Sequence, residues 1–298
     1  MNKLIDVNKL YKEDTELKKD DVEMLLKWSE QQRHFPKVTE LQAALALHSC
    51  FYSIESAKNC LENYFTIRTL CPDYFSSFDP SKNDLLKQQM NVSLLTFLPG
   101  TTKNGDSIAL TRLMDTNPDV YNPQVGSKMF DMLMMLRMYT VGPTNGIVVV
   151  MDMKGSVFMH VTKMNLGEFK KFMVYLQTAM PIRLKQVHFI NTVPFMDKLM
   201  SMLKPFINKD MFDKIIIHTN NENLYKYVPR EAMPVEYGGK ADSVDILFEE
   251  CKKSIYDNLE FYEMLESQVV DENKRVGPRK NVDNMFGFDG TFKKLEVD

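Results

Sequence analysis

The run Ile147–Met153 (IVVVMDM) is apolar almost without a break. A strand with one wet face alternates apolar and polar residues, whereas one that does not alternate is covered on both faces. Val187–Asn191 and Ile215–Thr219 have the same character, and Ile108–Leu113 reads as another strand. Helical periodicity fills the intervals at 126–139, 166–180 and 195–204. Strands and helices alternating at this spacing predict an α/β domain with a mainly parallel sheet, because parallel strands need crossover connections.

Upstream of residue 90 the pattern is helical throughout. Leu17, Val22, Leu25, Leu26 and Trp28 share one helix. Thr39 is placed to cap a second, through Leu41, Leu45 and Leu47, and Ser53 a third, through Leu61, Tyr64, Phe65, Ile67 and Leu70. Pro72 ends that run, and a short helix follows near 82–89. The expected organisation is an N-terminal helical region at 1–89 and an α/β domain at 90–250. A third part, 251–298, holds the end of a charged helix (about 242–268) and a surface tail.

Three of the helical segments differ in what they hide. In 166–180, Leu166, Phe169, Phe172, Met173, Leu176, Ala179 and Met180 share one side, as in a helix that covers a sheet. In 126–139, Met129, Phe130, Met132, Leu133, Met134, Met135, Leu136 and Met138 point nearly all round, so that helix must be buried on every side. In 195–207, Phe195, Met196, Leu199, Met200, Met202, Leu203, Phe206 and Ile207 fill one arc, and Asp197, Lys198, Ser201 and Lys204 the other. Such a helix either faces a core or closes a pocket and rests on a membrane. Methionine, 22 residues in all, concentrates in these segments. Its flexible thioether fills irregular apolar space, whether a loose core or the wall of a ligand cavity.

Catalytic patterns are missing. No phosphate loop, no G-x-G-x-x-G after a strand and no G-x-S-x-G elbow occurs. The histidines form no H-E-x-x-H, and His188 and His218 sit in apolar strands as core residues do. Asp152, in a D-M-K-G turn, reads as a strand-end carboxylate accepting turn N–H groups. The reading is a non-enzyme with no cofactor. Net charge is −3, from 37 basic and 40 acidic residues, so nucleic acid is not an expected partner. The four cysteines match no zinc spacing and read as reduced thiols. The first 21 residues hold no apolar run, and a cytoplasmic chain is expected.

Several motifs then fall in order. Pro181-Ile-Arg-Leu-Lys-Gln-Val-His-Phe-Ile-Asn191 leads into a strand ending H-x-I-N, and Lys204-Pro205-Phe206 and the strand ending at His218 follow. Met233-Pro-Val-Glu-Tyr-Gly-Gly239 comes last, and Gly146–Gly155 lies upstream with a G-x-x-x-x-x-D-x-x-G pattern. Together these resemble the CRAL-TRIO lipid-binding family, in particular its tocopherol-transfer and retinaldehyde-binding branches, over about 15–250. The resemblance implies an N-terminal helical bundle before an α/β domain with a mainly parallel sheet and a mobile helical flap. It implies binding and transfer of one hydrophobic lipid: a tocopherol, retinoid, carotenoid or other terpenoid. The alternative is a lipid-gated adaptor that binds a protein partner.

Position by position, the resemblance gives a pocket wall of Met129, Leu133, Ile147, Met151, Phe158, Phe172, Leu176, Met180, Ile182, Leu184 and Val187. The flap adds Phe195, Met196, Leu199, Met200, Leu203 and Phe206. Arg183, Lys185 and Lys214 match phosphoinositide contacts of the tocopherol-transfer branch, and Lys209 stands beside Asp210 where that branch has lysine. Transient contact with a membrane, through a phosphoinositide, and with it a peripheral place at membranes, is what the resemblance implies from these. Met129 and Leu133 replace hydroxyl-bearing residues of the tocopherol pocket, which favours a more wholly apolar ligand.

Overall fold

The computed structural model describes residues 3–287. Helices Val7–Glu13 (α1), Lys19–Gln31 (α2), Glu40–Ser49 (α3), Ile54–Leu70 (α4), Pro72–Phe75 (α5) and Asp84–Gln89 (α6) come first. Strands Ser93–Thr101 (β1) and Ser107–Leu113 (β2) precede helix Pro123–Thr140 (α7) and strand Ile147–Asp152 (β3). Helices Phe158–Thr162 (α8) and Leu166–Thr178 (α9) lead to strand Leu184–Ile190 (β4). Helices Met196–Leu203 (α10) and Lys209–Phe212 (α11) lead to strand Ile215–Ile217 (β5). Helices Val244–Tyr256 (α12), Leu259–Glu266 (α13) and Val282–Phe286 (α14) complete the described chain.

These elements form two compact units. The first joins Phe78–Asn165 and Ile182–Glu263 with the segment up to Ile5. The second joins Asp6–Ser77, Leu166–Pro181 and the described residues from Met264 on. Helix α9 therefore groups with the N-terminal helices, although strands flank it in sequence.

The first unit is built on a five-stranded sheet of order β1-β2-β3-β4-β5. β1 and β2 are antiparallel, and the other pairs are parallel, with Ile108 level with Val148, Val150 with His188 and Val187 with Ile215. On one face Leu94, Leu98, Ile108, Leu110, Val148, Val150 and Ile190 pack with Leu224, Val228, Met233 and Leu247. Ile147, Val149 and Met151 alternate with the β3 members of that cluster and so belong to the opposite face. The unbroken apolar run of β3 thus has the two covered faces that its sequence demands.

In the second unit the caps form as the sequence predicts. The Thr39 hydroxyl accepts from the Gln42 N–H at 3.2 Å, and the Thr39 N–H donates to Gln42 Oε1 at 2.9 Å. Such a box satisfies two N–H groups that the first helical turn leaves unpaired. The C-terminal segment is tied to α4 in the same unit. Arg275, nearly buried, donates to Glu62 at 2.5 Å and to Glu272 at 2.6 and 2.7 Å. The Val270 N–H donates to Thr69 Oγ1 at 2.9 Å.

Two features depart from the sequence reading. β1 was not anticipated, and the helix expected over 242–268 is two helices. Asn258 divides them: it is fully buried, its side-chain amide donates to the Ser254 carbonyl at 2.8 Å, and its own carbonyl accepts from Phe261 and Tyr262.

Candidate functional site

The motif residues meet at the carboxyl ends of the strands. The buried Asp152 carboxylate accepts from the Lys154 N–H at 2.9 Å and the Asn191 side-chain amide at 2.7 Å through Oδ1. Through Oδ2 it accepts from the Tyr237 hydroxyl at 2.5 Å, with Arg112 Nε at 3.9 Å. Burial, then the Asp152 charge, raises the Tyr237 hydroxyl above its usual range. Asn191 adopts φ 48°, which asparagine tolerates, and Asn221 holds it there with reciprocal bonds of 3.0 and 2.6 Å. Glu236 caps α12, both carboxylate oxygens accepting from the Val244 N–H at 3.0 and 3.1 Å. A Cβ on Gly239 would lie 1.8 Å from the Met233 carbonyl oxygen, so only glycine fits there. Asp152, Asn191 and the E-Y-G-G segment are thus one polar clamp in which both Asp152 carboxylate oxygens are engaged.

A cavity of about 180 Å³ opens elsewhere in this unit, at the β1 edge of the sheet. Its walls are Leu95 and Thr96 of β1, Met129, Leu133 and Leu136 of α7, Glu250, Cys251, Ser254 and Ile255 of α12, and Tyr262 of α13. Met129 and Leu133 thus line this cavity, beside residues that the sequence reading did not name. The Cys251 thiol donates to the Leu95 carbonyl at 2.9 Å and the Tyr262 hydroxyl to the Met132 carbonyl at 3.4 Å. Burial pushes the Cys251 thiol up to about 11. The signal for this wall was the spacing Leu247, Cys251, Ser254, Ile255, a helix face partly hidden among the acids and lysines of α12.

The other expected wall residues fall into separate places. Ile147, Met151, Leu184 and Val187 belong to the strands, with Ile147 level with Leu184 and Val149 with Val187. Met151, Leu184 and Val187 are only half-buried, and Ile182 is buried just before β4. Helix α10 buries Met196, Leu199, Met200 and Leu203, the arc its sequence defines. It ends at Leu203, where a 3-10 turn, Lys204–Phe206, carries Pro205 and a half-buried Phe206. The Phe195 ring lies edge-on to Phe158 of α8 at 5.7 Å, and the Lys198 ammonium sits 4.4 Å from the Phe158 ring centre. Phe158 is itself exposed, beside exposed Val157 and Met159. Phe172, Leu176 and Met180 belong to the second unit, where Phe172 stacks on Tyr74 at 5.7 Å, Met180 is buried and Leu176 is half-buried.

Three of the four basic residues line strand beginnings. The Arg183 carbonyl accepts from the Ile147 N–H, and the Lys214 carbonyl from the Val187 N–H. The Lys185 stem crosses Gly146, where a Cβ would come within 2.3 Å of Lys185 Cγ. Lys209 is exposed at the start of α11, beside Asp210.

The two strand histidines form a pair. His188 Nδ1 and His218 Nε2 are 2.9 Å apart with the rings stacked at 5.1 Å, and Gln186 Oε1 lies 3.2 Å from His188 Nε2. Burial, then the second imidazole, lowers His188 to about 4. The pair joins β4 to β5, the strands between which α10 and α11 are inserted.

No helix of the described residues is long and apolar enough to cross a membrane. Residues 91–239 match the family model described as CRAL/TRIO domain, and residues 14–85 match one described as Pinta-like, UBA domain. An alpha-tocopherol transfer protein-like protein of Mus musculus is 29% identical over 196 residues, 65% of this chain and 56% of that protein. Clavesin-1 of Rattus norvegicus is 26% identical over 192 residues, 62% of this chain and 53% of that protein. The matched segments thus span about half the length of these relatives. The crystal structure of Sfh5 aligns at a TM-score of 0.41 and 16% identity, over 74% of this chain and 87% of that one.

Proposed function

The chain belongs to the CRAL/TRIO domain family, and from that premise we propose that it binds one small hydrophobic lipid and carries it between membranes. The observation that carries the reading is α10, amphipathic in sequence and buried along its apolar arc, which the chain inserts in sequence between β4 and β5; Leu184 and Val187 of β4 are only half-buried. A helix in that position closes over an apolar ligand and opens to release it. Each 100 Å² of lipid surface removed from water is worth about 2.5 kcal/mol, so several hundred Å² outweigh the cost of immobilising the ligand. The ligand class we propose is a tocopherol, retinoid, carotenoid or other terpenoid. Exposed Val157, Phe158 and Met159 beside Lys198 suit a membrane surface, which accepts apolar side chains and attracts cations. Arg183, Lys185, Lys209 and Lys214 would meet the phosphates of a phosphoinositide. The protein works in the cytoplasm and at membrane surfaces on this reading, with no catalytic step and no cofactor.

Organic extraction and mass spectrometry of protein taken from its native source test the proposal. A single apolar molecule at near one-to-one ratio is expected, and protein that carries no lipid and takes up none from vesicles overturns it. One observation favours the adaptor reading as a second. α14 packs on α9, where Phe286 is buried, so the segment after α13 is docked rather than loose. A partner that binds only after this segment is displaced, and only in one lipid state, would mark an adaptor. The remainder of the tail, 288–298, lies outside the described residues.

A further inference from the structure

We propose that the cavity at the β1 edge takes a compact apolar group whose outer end carries a hydrogen-bond donor. The inference rests on the lipid-carrier reading for what that group belongs to, a ring or chain end of the carried lipid. The site itself rests on geometry. Its inner wall, Met129, Leu133, Leu136 and Ile255, offers only hydrocarbon and thioether surface. Such a lining excludes polar groups that cannot find a partner inside. A volume of about 180 Å³ suits a single ring, since an apolar cavity of roughly 150 Å³ holds benzene.

The polar character of the remaining wall decides the ligand's other end. The Cys251 thiol and the Tyr262 hydroxyl spend their protons on backbone carbonyls and have none to offer. Ser254 Oγ and the Glu250 carboxylate make no hydrogen bond or ion pair among the described residues. Two neighbouring acids are neutralised locally, Glu249 by Lys252 and Asp257 by Lys253. Glu250 and Ser254 stand four residues apart and so share one helix face, the face that borders the cavity. A carboxylate accepts and cannot donate. The complementary group is therefore a donor, either a hydroxyl or a cationic amine, placed at the mouth while its ring fills the interior. This differs from a wholly apolar ligand, the expectation drawn from Met129 and Leu133 alone. The hydroxyl missing from α7 has a counterpart on α12, across the same cavity.

Three matched probes separate the possibilities: toluene, benzyl alcohol and benzylammonium, titrated into the full chain while the Met129 methyl resonance is followed by NMR. The two donors are expected to bind about fivefold tighter than toluene, the scale of one solvent-edge polar contact. Glu250→Gln should erase the preference for the cation and Ser254→Ala that for the alcohol. Leu133→Trp should abolish all three, and Ile255→Phe fills the space from the opposite wall should the first variant fail to fold. Toluene binding as tightly as the donors, or probe binding that survives both fillings, overturns the inference. Lipid found on the extracted protein without probe binding here removes this site and leaves the carrier reading standing; probe binding without any bound lipid does the reverse.

Discussion

The strand-end clamp and the α7–α10 region use opposite kinds of chemistry. At the clamp, Asp152, Tyr237, Asn191 and Asn221 engage one another through directional bonds of 2.5–3.0 Å. Along α7 and α10 most of the buried side chains are methionine and leucine, which have no preferred direction and tolerate rearrangement, although α7 also buries Lys128 and Asp131. A motif is legible because directional bonds admit few substitutes. An apolar wall admits many. The recognisable residues accordingly hold the frame, and on the proposed lipid-carrier function specificity would reside where no motif exists.

The sharpest way to break the contrast is to damage the frame. Gly239→Ala puts a methyl 1.8 Å from a backbone oxygen that has no flexible side chain to yield. A loss of about 3 kcal/mol or more in urea unfolding is expected. Tyr237→Phe removes one donor from a buried carboxylate and should cost about 1.5–3 kcal/mol. A neutral result for either would mean that the clamp does not hold the frame.

The wall should respond differently. Leu199→Ala with Leu203→Ala truncates two buried side chains of α10. If α10 opens as a local unit, the loss falls on the closed state of the flap and not on global unfolding. Lipid release should then accelerate tenfold or more while the urea midpoint stays in place. A midpoint that drops together with release would make α10 an ordinary core helix.

The His188–His218 pair lies between the two regimes, polar in composition and buried. With His188 held down to about 4, against an ordinary value of 6.5, the unfolded chain takes up its proton at a higher pH than the folded chain does. Stability is therefore complete above about pH 6.5 and declines as pH falls toward 4. His218 is lowered as well, by burial and then by Lys226, which adds in the same direction. Unfolding midpoints measured from pH 7 to 4 should show this loss, and His188→Gln should flatten it. Carboxylates elsewhere titrate in part of this range, so the difference between the two chains is the informative quantity.

These regions also show why parts of the fold were legible and others were not. The parallel core was readable because β3 is apolar on both faces, and the cap at Thr39 because a threonine stands just before the apolar run that begins at Leu41; the Gln42 half of the box was not read. β1 was not, since Pro99 and Gly100 interrupt its end and an edge strand tolerates both. The break at Asn258 was hidden because neither proline nor glycine marks it; a buried side-chain amide makes the turn instead. The family resemblance placed Met129 and Leu133 in a pocket wall, but Leu95 and Tyr262 come from strands and helices that only the folded chain brings beside them.

The basic residues give the smallest expected effect, and here position should outweigh charge. Arg183, Lys185 and Lys214 are fixed at the beginnings of β4 and β5 by backbone bonds to the neighbouring strands and by the packing of the Lys185 stem over Gly146. Lys209 is exposed on a four-residue helix, with Asp210 next to it and Asp213 at its end. A cation near an anionic surface contributes about 1 kcal/mol, or roughly fivefold in binding. Arg183→Ala, Lys185→Ala and Lys214→Ala should each weaken binding to phosphoinositide-containing vesicles by about that factor. Lys209→Ala should change it by less than twofold, because an exposed side chain beside a carboxylate gains little at the surface. Sedimentation with vesicles with and without the phosphoinositide, at two salt concentrations, separates headgroup recognition from general attraction. Equal effects from all four residues would show that only the charge matters, and the strand-held lysines would then be no more a site than Lys209 is.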